Sequence, residues 1–145
     1  MAKIKGLIPA KDITAENIVT LLNENRMTAR IDDDGDILAN VSGTNIIMDI
    51  KGPLLRMHAI WSVREGIRRD EVEELVAAVN ANAPLVRCSI PKNPLAEGEG
   101  YRIWADYQLL RDGDLTTTKL LECIRYFVRW MNQALDEYDI QKILG

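Results

Sequence analysis

MTARIDDDGDILANVSGTNIIMDI, residues 27–50, contains three stretches in which apolar and polar residues alternate. A period of two is typical of strands that bury one face of a sheet. The acidic Asp-Gly segment separates the first stretch from the second, and a Ser-Gly-Thr segment separates the second from the third. The segment therefore predicts three consecutive antiparallel strands joined by short turns.

The length of the first turn follows from the rule that antiparallel partners must face the same side of the sheet. A two-residue turn would pair Ile31 with Leu38, whose side chain points to the opposite face. A three-residue loop at residues 33–35 instead pairs Ile31 with Ile37, and both are apolar and inward. This loop predicts a type I turn followed by a bulge, with Gly35 in the left-handed conformation.

The same reasoning extends the sheet to a fourth strand. We predict a turn at residues 43–44, which pairs Val41 with Ile46, and a further turn at residues 52–53. A glycine leads each turn, as a type II′ hairpin requires. Residues 27–63 are thus predicted to form a four-stranded meander.

Three helices complete the predicted fold. Thr14 and Thr116 are each followed by apolar residues at helical spacing and are expected to be N-caps, while Asp70 is expected to cap a helix between them. Two more strands, at residues 86–90 and 101–109, follow the middle helix and are joined by a long polar loop. The order α-β-β-β-β-α-β-β-α predicts an α+β domain in which the helices pack on one face of an antiparallel sheet.

Composition places limits on function. The 145 residues are 47% hydrophobic and 28% charged, which is ordinary for one globular domain spanning residues 1–145. A net charge of -4 and a pI of about 5.1 argue against nucleic acid as a partner, because phosphate binding needs a clustered basic face. No apolar run reaches membrane-span length, and the first residues lack a secretory signal, so no membrane partner and a cytoplasmic location are expected.

The residues with reactive side chains do not assemble into a recognisable catalytic centre. His58 has no evident histidine or cysteine neighbour in register. Cys88 and Cys123 each lie among regularly spaced apolar residues, which is typical of buried thiols. As a calcium loop, the acidic turn would place Arg30 at position one and Val41 at position twelve, where carboxylates are needed. No catalytic residue, metal ligand or cofactor is predicted.

The outward face of the sheet is the candidate functional surface. Its polar side chains are interrupted by five apolar ones, which we predict to form a contact surface for a second copy of the chain or for a protein partner. These residues are Leu38, Ile47, Ile60, Trp104 and Leu110. Trp104 is the expected anchor, because aromatic side chains concentrate interface energy.

The order of several segments resembles that of a known family. LLNENRMTARIDDDGDILANVSGTNIIMDI is followed by LRMHAIWS and VAAVNANAPLVRCSI, and then by YRIWADYQLL and LTTTKLLECIRYFVRWMNQAL. Across roughly residues 12–138 this chain resembles the YbjN-type domain, for which a role as a bacterial sensory transduction regulator has been suggested. The resemblance implies a fold similar to class I type III secretion chaperones, which are small, acidic and usually homodimeric, and it implies no catalytic or ligand residues.

Three functional hypotheses follow. The first is a non-catalytic, homodimeric regulatory or chaperone-like module that binds an unidentified protein. The second is a domain that responds to divalent cations through the carboxylates of residues 32–36. The third is an enzyme whose cleft is assembled from residues distant in sequence.

Overall fold

The computed structural model describes residues 6–83, 85–91, 100–111, 115–139 and 142–145. The elements in chain order are β1 (Leu7–Ile8), a 3₁₀ turn (Ala10–Asp12), α1 (Ala15–Glu24), β2 (Thr28–Ile31), β3 (Ile37–Val41), β4 (Thr44–Lys51), β5 (Leu54–Ser62), α2 (Arg69–Asn82), β6 (Arg87–Ser89), β7 (Arg102–Leu110), β8 (Leu115–Thr116) and α3 (Thr117–Tyr138). Six strands form a sheet in the order β2-β3-β4-β5-β7-β6, and β1 pairs with β8 in a second, two-stranded sheet. The predicted α+β class is confirmed. The sequence missed β1 and β8, because two residues are too few to show an alternating pattern.

The chain divides into two compact units. One lies within residues 1–57 and 108–128, and the other within residues 58–107 and 129–145. The single domain expected over residues 1–145 stays a prediction.

In the first unit, the register of β2 on β3 confirms the parity argument. Ile31 pairs with Ile37 as predicted. The Asp32 N–H donates to the Asp36 carbonyl at 2.9 Å, and the Gly35 N–H donates to the Asp32 carbonyl at 3.1 Å. Gly35 has a φ of +87°, so it occupies the left-handed position of the three-residue loop.

The turn between β3 and β4 corrects the predicted register. Val41 pairs with Thr44, so the loop is Ser42-Gly43 and the pairing is shifted by two residues from the prediction. Ser42 and Gly43 have φ values of 52° and 85°, which makes this a type I′ turn rather than type II′. The Asn40 side chain accepts the Gly43 N–H at 3.2 Å and stabilises the turn. Because the shift is two residues, the same side chains still face the core.

The turn between β4 and β5 lies at Gly52 and Pro53, as predicted. Gly52 has a φ of 56°, in agreement with the first position of a type II′ turn. The Arg111 N–H donates to the Pro53 carbonyl at 2.7 Å and holds the turn.

Both predicted threonine caps are present. The Thr14 hydroxyl accepts the Asn17 N–H at 3.2 Å at the start of α1, and the Thr116 hydroxyl accepts the Lys119 N–H at 3.0 Å at the start of α3. α1 packs on β2 and β3. The apolar stripe predicted for α3 is buried, and its members are Leu120, Leu121, Ile124, Phe127, Val128, Met131 and Leu135.

In the second unit, α2 begins earlier than predicted. Its N-cap is Arg68 rather than Asp70, and the Arg68 N–H donates to the Glu71 carboxylate at 2.9 Å. The prediction of Asp70 as the cap was wrong because Glu71 reaches back to the free N–H of Arg68, two residues before Asp70. The buried residues of α2 are Val72, Leu75 and Val79.

Backbone pairing also brings the last residues of the chain to the end of β5. Leu144 forms an antiparallel bridge with Val63, and the Arg64 N–H donates to the Ile143 carbonyl at 2.7 Å. α3 ends at Tyr138. Most of the long loop predicted after β6, residues 92–99, lies outside the described residues.

Candidate functional site

The predicted surface residues alternate with buried ones along their strands. Leu38, Ile47 and Ile60 are half-buried. Trp104 is 36% exposed and Leu110 is 67% exposed. Such exposures leave apolar area in contact with water on the side of each strand opposite the core. Whether this area binds another protein stays a prediction.

In the first unit, the register places Leu38 directly opposite Ile47, and Arg30 opposite Leu38. Direct cross-strand neighbours have Cβ atoms about 5 Å apart, so the two apolar side chains form one continuous strip. A bidentate ion pair lies on the same unit, with Arg56 Nε 2.6 Å from Asp49 Oδ1. The guanidinium fork fixes the orientation of both charged side chains.

In the second unit, Trp104 stands against the only histidine. The ring centroids of Trp104 and His58 are 6.3 Å apart at an interplanar angle of 65°, which is an edge-to-face contact. His58 Nδ1 lies 2.5 Å from Asp106 Oδ1, and these two side chains are 15% and 19% exposed. The carboxylate fixes the imidazole, and the imidazole in turn supports one edge of the indole.

The sequence interpretation found no histidine or cysteine neighbour for His58 and did not predict its contact with the Asp106 carboxylate. Asp106 was assigned to the same outward face, but only the neighbouring positions of β5 and β7 in the sheet bring the two together. The sequence could not predict the contact between His58 and Asp106, because their strands, β5 and β7, are not consecutive in the chain. The strand number and order had to be known first.

The two cysteines are buried free thiols, as predicted. Burial raises the pKa of Cys88 from its ordinary value of 9.0 to about 12, and the negative charge of Asp106 adds to the rise. A thiol with so high a pKa stays protonated at neutral pH and is a poor nucleophile or metal ligand.

The acidic turn uses one of its carboxylates internally. Asp32 Oδ1 accepts the N–H groups of Asp34 at 3.0 Å and Asp36 at 2.9 Å. The side chain therefore serves the turn itself. Within the part of the chain that the structure describes, no three histidine, cysteine, aspartate or glutamate side chains gather so that they could hold a metal ion.

Sequence reasoning missed a buried carboxylate. Asp139 is 7% exposed and accepts the N–H groups of Ile143 at 2.9 Å and Leu144 at 3.2 Å. It lies beside a cavity of about 220 Å³ in the second unit, lined by Glu71, Glu74, Leu75, Ala78, Tyr138, Asp139 and Ile143. Asp139 directly follows α3, and its carboxylate holds the backbone of Ile143 and Leu144.

The first unit has a more apolar groove. Its volume is about 230 Å³, and it is lined by Ile8, Asp12, Ile13, Asn17, Ile18, Leu21, Thr117 and Leu120. None of the five predicted surface residues lines either cavity. Among the described residues, no helix is long and apolar enough to cross a membrane.

The described residues form a small α+β protein in which helices accompany an antiparallel sheet. Comparison with solved structures shows which known proteins have a similar fold. YbjN from E. coli, for which a role as a transcription regulator has been suggested, superposes with a TM-score of 0.71 and 13% sequence identity, covering 90% of this chain and 94% of that one. The fold is therefore that of YbjN, as the resemblance predicted. The type III secretion chaperone SycH from Yersinia pestis, solved with a stable fragment of YscM2, gives a TM-score of 0.49 at 14% identity, covering 85% of this chain and 98% of that one. No protein family and no curated protein matches the sequence itself.

Proposed function

We propose that this chain is a non-catalytic, regulatory protein-binding module that acts as a homodimer through the outward side of its sheet. The observation that carries the proposal is the setting of Trp104. Its indole is 36% exposed and is held edge-on by His58, which Asp106 fixes in turn. A large aromatic side chain already fixed in place loses little conformational entropy on binding, as interface anchors require.

The apolar strip of Leu38 and Ile47 supports the same proposal. These side chains are direct cross-strand neighbours with Arg30 beside them. Apolar centres with charged neighbours are typical of protein interfaces. We place the module in the cytoplasm, where its two buried free thiols would remain reduced.

The dimer is tested by light scattering coupled to size-exclusion chromatography. Parent protein is expected at twice the chain mass of 16.4 kDa. Trp104→Ala should raise the dimer dissociation constant about 30-fold or more, since truncating an aromatic anchor removes about 2 kcal/mol or more. His58→Ala should raise it by a smaller factor, because the indole keeps its area but loses its support.

Leu85→Ala is the matched control, because Leu85 is 74% exposed and lies outside the sheet. It should leave the dimer unchanged. A parent protein that stays at the mass of one chain at high concentration would rule out the homodimer. Affinity capture from the native cell tests the other partner, and capture unaffected by Trp104→Ala would rule out this surface as the place where that partner binds.

A further inference from the structure

Both edges of the six-stranded sheet are occupied by an asparagine side chain. β2 is one terminal strand. Near the end of α1, Asn23 Nδ2 donates to the Ala29 carbonyl at 3.1 Å, and Asn23 Oδ1 accepts the Ala29 N–H at 2.9 Å. One side chain thus satisfies both the N–H and the carbonyl of Ala29 in β2.

The other terminal strand, β6, repeats the arrangement with a different helix. Near the end of α2, Asn80 Nδ2 donates to the Cys88 carbonyl at 2.9 Å, and Asn80 Oδ1 accepts the Cys88 N–H at 2.7 Å. Cys88 is the middle residue of the three-residue strand. The same pair of bonds therefore closes each end of the sheet.

An asparagine carboxamide carries a carbonyl acceptor and N–H donors side by side, as the backbone of one strand residue does. In an antiparallel ladder, alternate residues direct their N–H and C=O groups away from the existing partner. The bond from the Asp32 N–H to the Asp36 carbonyl shows that Asp32 directs its backbone groups toward β3. By alternation, Ala29 and Ile31 direct their N–H and C=O groups away from β3, toward the open edge of the sheet. Asn23 occupies the position that the N–H and C=O groups of one residue in a further strand would take at Ala29.

Edge strands with free backbone groups invite pairing with another chain. Ala29 is 8% exposed and Cys88 is 3% exposed, so neither position can readily exchange its asparagine for water. Ile31 lies on the same edge as Ala29 and is 36% exposed. It leaves apolar area that a second copy of β2 would cover.

We propose that β2 and β6 are latent strand-pairing edges, that Asn23 and Asn80 keep them closed, and that the partner they fit is a second copy of this chain. Backbone pairing needs no side-chain complementarity, and a strand paired antiparallel with its own copy satisfies two-fold symmetry. The inference is independent of the outward-face dimer, since it rests on backbone groups at the two edges.

The test replaces Asn23 and Asn80 by leucine, singly and together. Matched controls are Asn25→Leu and Asn82→Leu, because those side chains donate only to carbonyls of their own helices, at 2.8 Å each. Sedimentation velocity should show the double variant associating at concentrations at least about tenfold below those of parent and controls. Amide hydrogen exchange at Ala29 and Cys88 should accelerate about tenfold at low concentration and slow again as the variant associates.

Folded leucine variants that sediment like the parent would overturn the proposal, as would exchange at Ala29 and Cys88 that association does not slow. Adding Trp104→Ala separates the two interfaces. Edge association should persist in that background, and its loss would assign the association to the outward face and overturn the edge proposal. If leucine prevents folding, Asn23→Ala and Asn80→Ala apply the same criteria with a smaller side chain.

Discussion

Replacing Gly35 by alanine should lower the free energy of unfolding by about 1 kcal/mol. Gly35 has a φ of +87°, and a Cβ built on it meets nothing within 4 Å, so the change introduces strain without a clash. An L-residue in the left-handed region costs about 1–2 kcal/mol. Alanine also restricts the unfolded chain, which offsets about 0.4–1 kcal/mol of that cost. With the middle of each range, the net loss is about 0.8 kcal/mol.

Urea unfolding followed by circular dichroism measures this loss, and the melting temperature should fall by about 2–4 °C. Gly35→Asn is the control, because asparagine adopts positive φ more readily than other side chains do. It should lose less than Gly35→Ala, while Gly35→Val, with its branched Cβ, should lose more. An alanine variant as stable as the parent would refute both the left-handed assignment and the three-residue loop on which the register of β2 rests.

Three further predictions follow from buried or capping groups and from the acidic turn. Because the Cys88 thiol has a pKa of about 12 in the folded protein and 9.0 ordinarily, only the unfolded chain deprotonates between those values. Stability should therefore fall as pH rises above 9, by about 1 kcal/mol at pH 10, and urea unfolding of Cys88→Ala should lack this contribution. Thr116→Ala should lose about 1 kcal/mol with the N-cap bond of α3, measured by urea unfolding, whereas Thr118→Ala on the exposed side of that helix should be nearly neutral. Calcium titrated calorimetrically into the folded protein should give no binding heat at millimolar concentration, since Asp32 is engaged by backbone N–H groups; a saturable heat would instead favour the cation-responsive alternative.

Parity of the alternating pattern determined some registers and left others open. At the acidic turn, the two-residue loop would have placed Leu38 opposite Ile31, so the alternatives differed in which face was buried. At the next turn, a shift of two residues leaves every side chain on its own face. Parity therefore cannot distinguish Ser42-Gly43 from Gly43-Thr44, and the choice depended on a serine that adopts a φ of 52°.

The polar contacts at the candidate surface were less predictable than the strands. The outward positions of His58, Trp104 and Asp106 followed from alternation, but their mutual contact depends on which strands are neighbours. Asn23 and Asn80 likewise lie near the ends of helices, where asparagine is common. Their bonds to backbone groups six and eight residues further along the chain depend on how each helix returns to its strand.

The pairing of β1 with β8 has a consequence for the order of folding. Thr117 donates through its backbone N–H to the Gly6 carbonyl at 2.8 Å, and its hydroxyl contacts that same carbonyl across 111 residues of chain. The β2–β3–β4 hairpins close loops of two or three residues, whereas this contact closes a loop of 111 residues and recovers only a few hydrogen bonds. We therefore expect the hairpins to form early and β1 to join last, so that the start of α3 is the last part of the first unit to become protected during refolding.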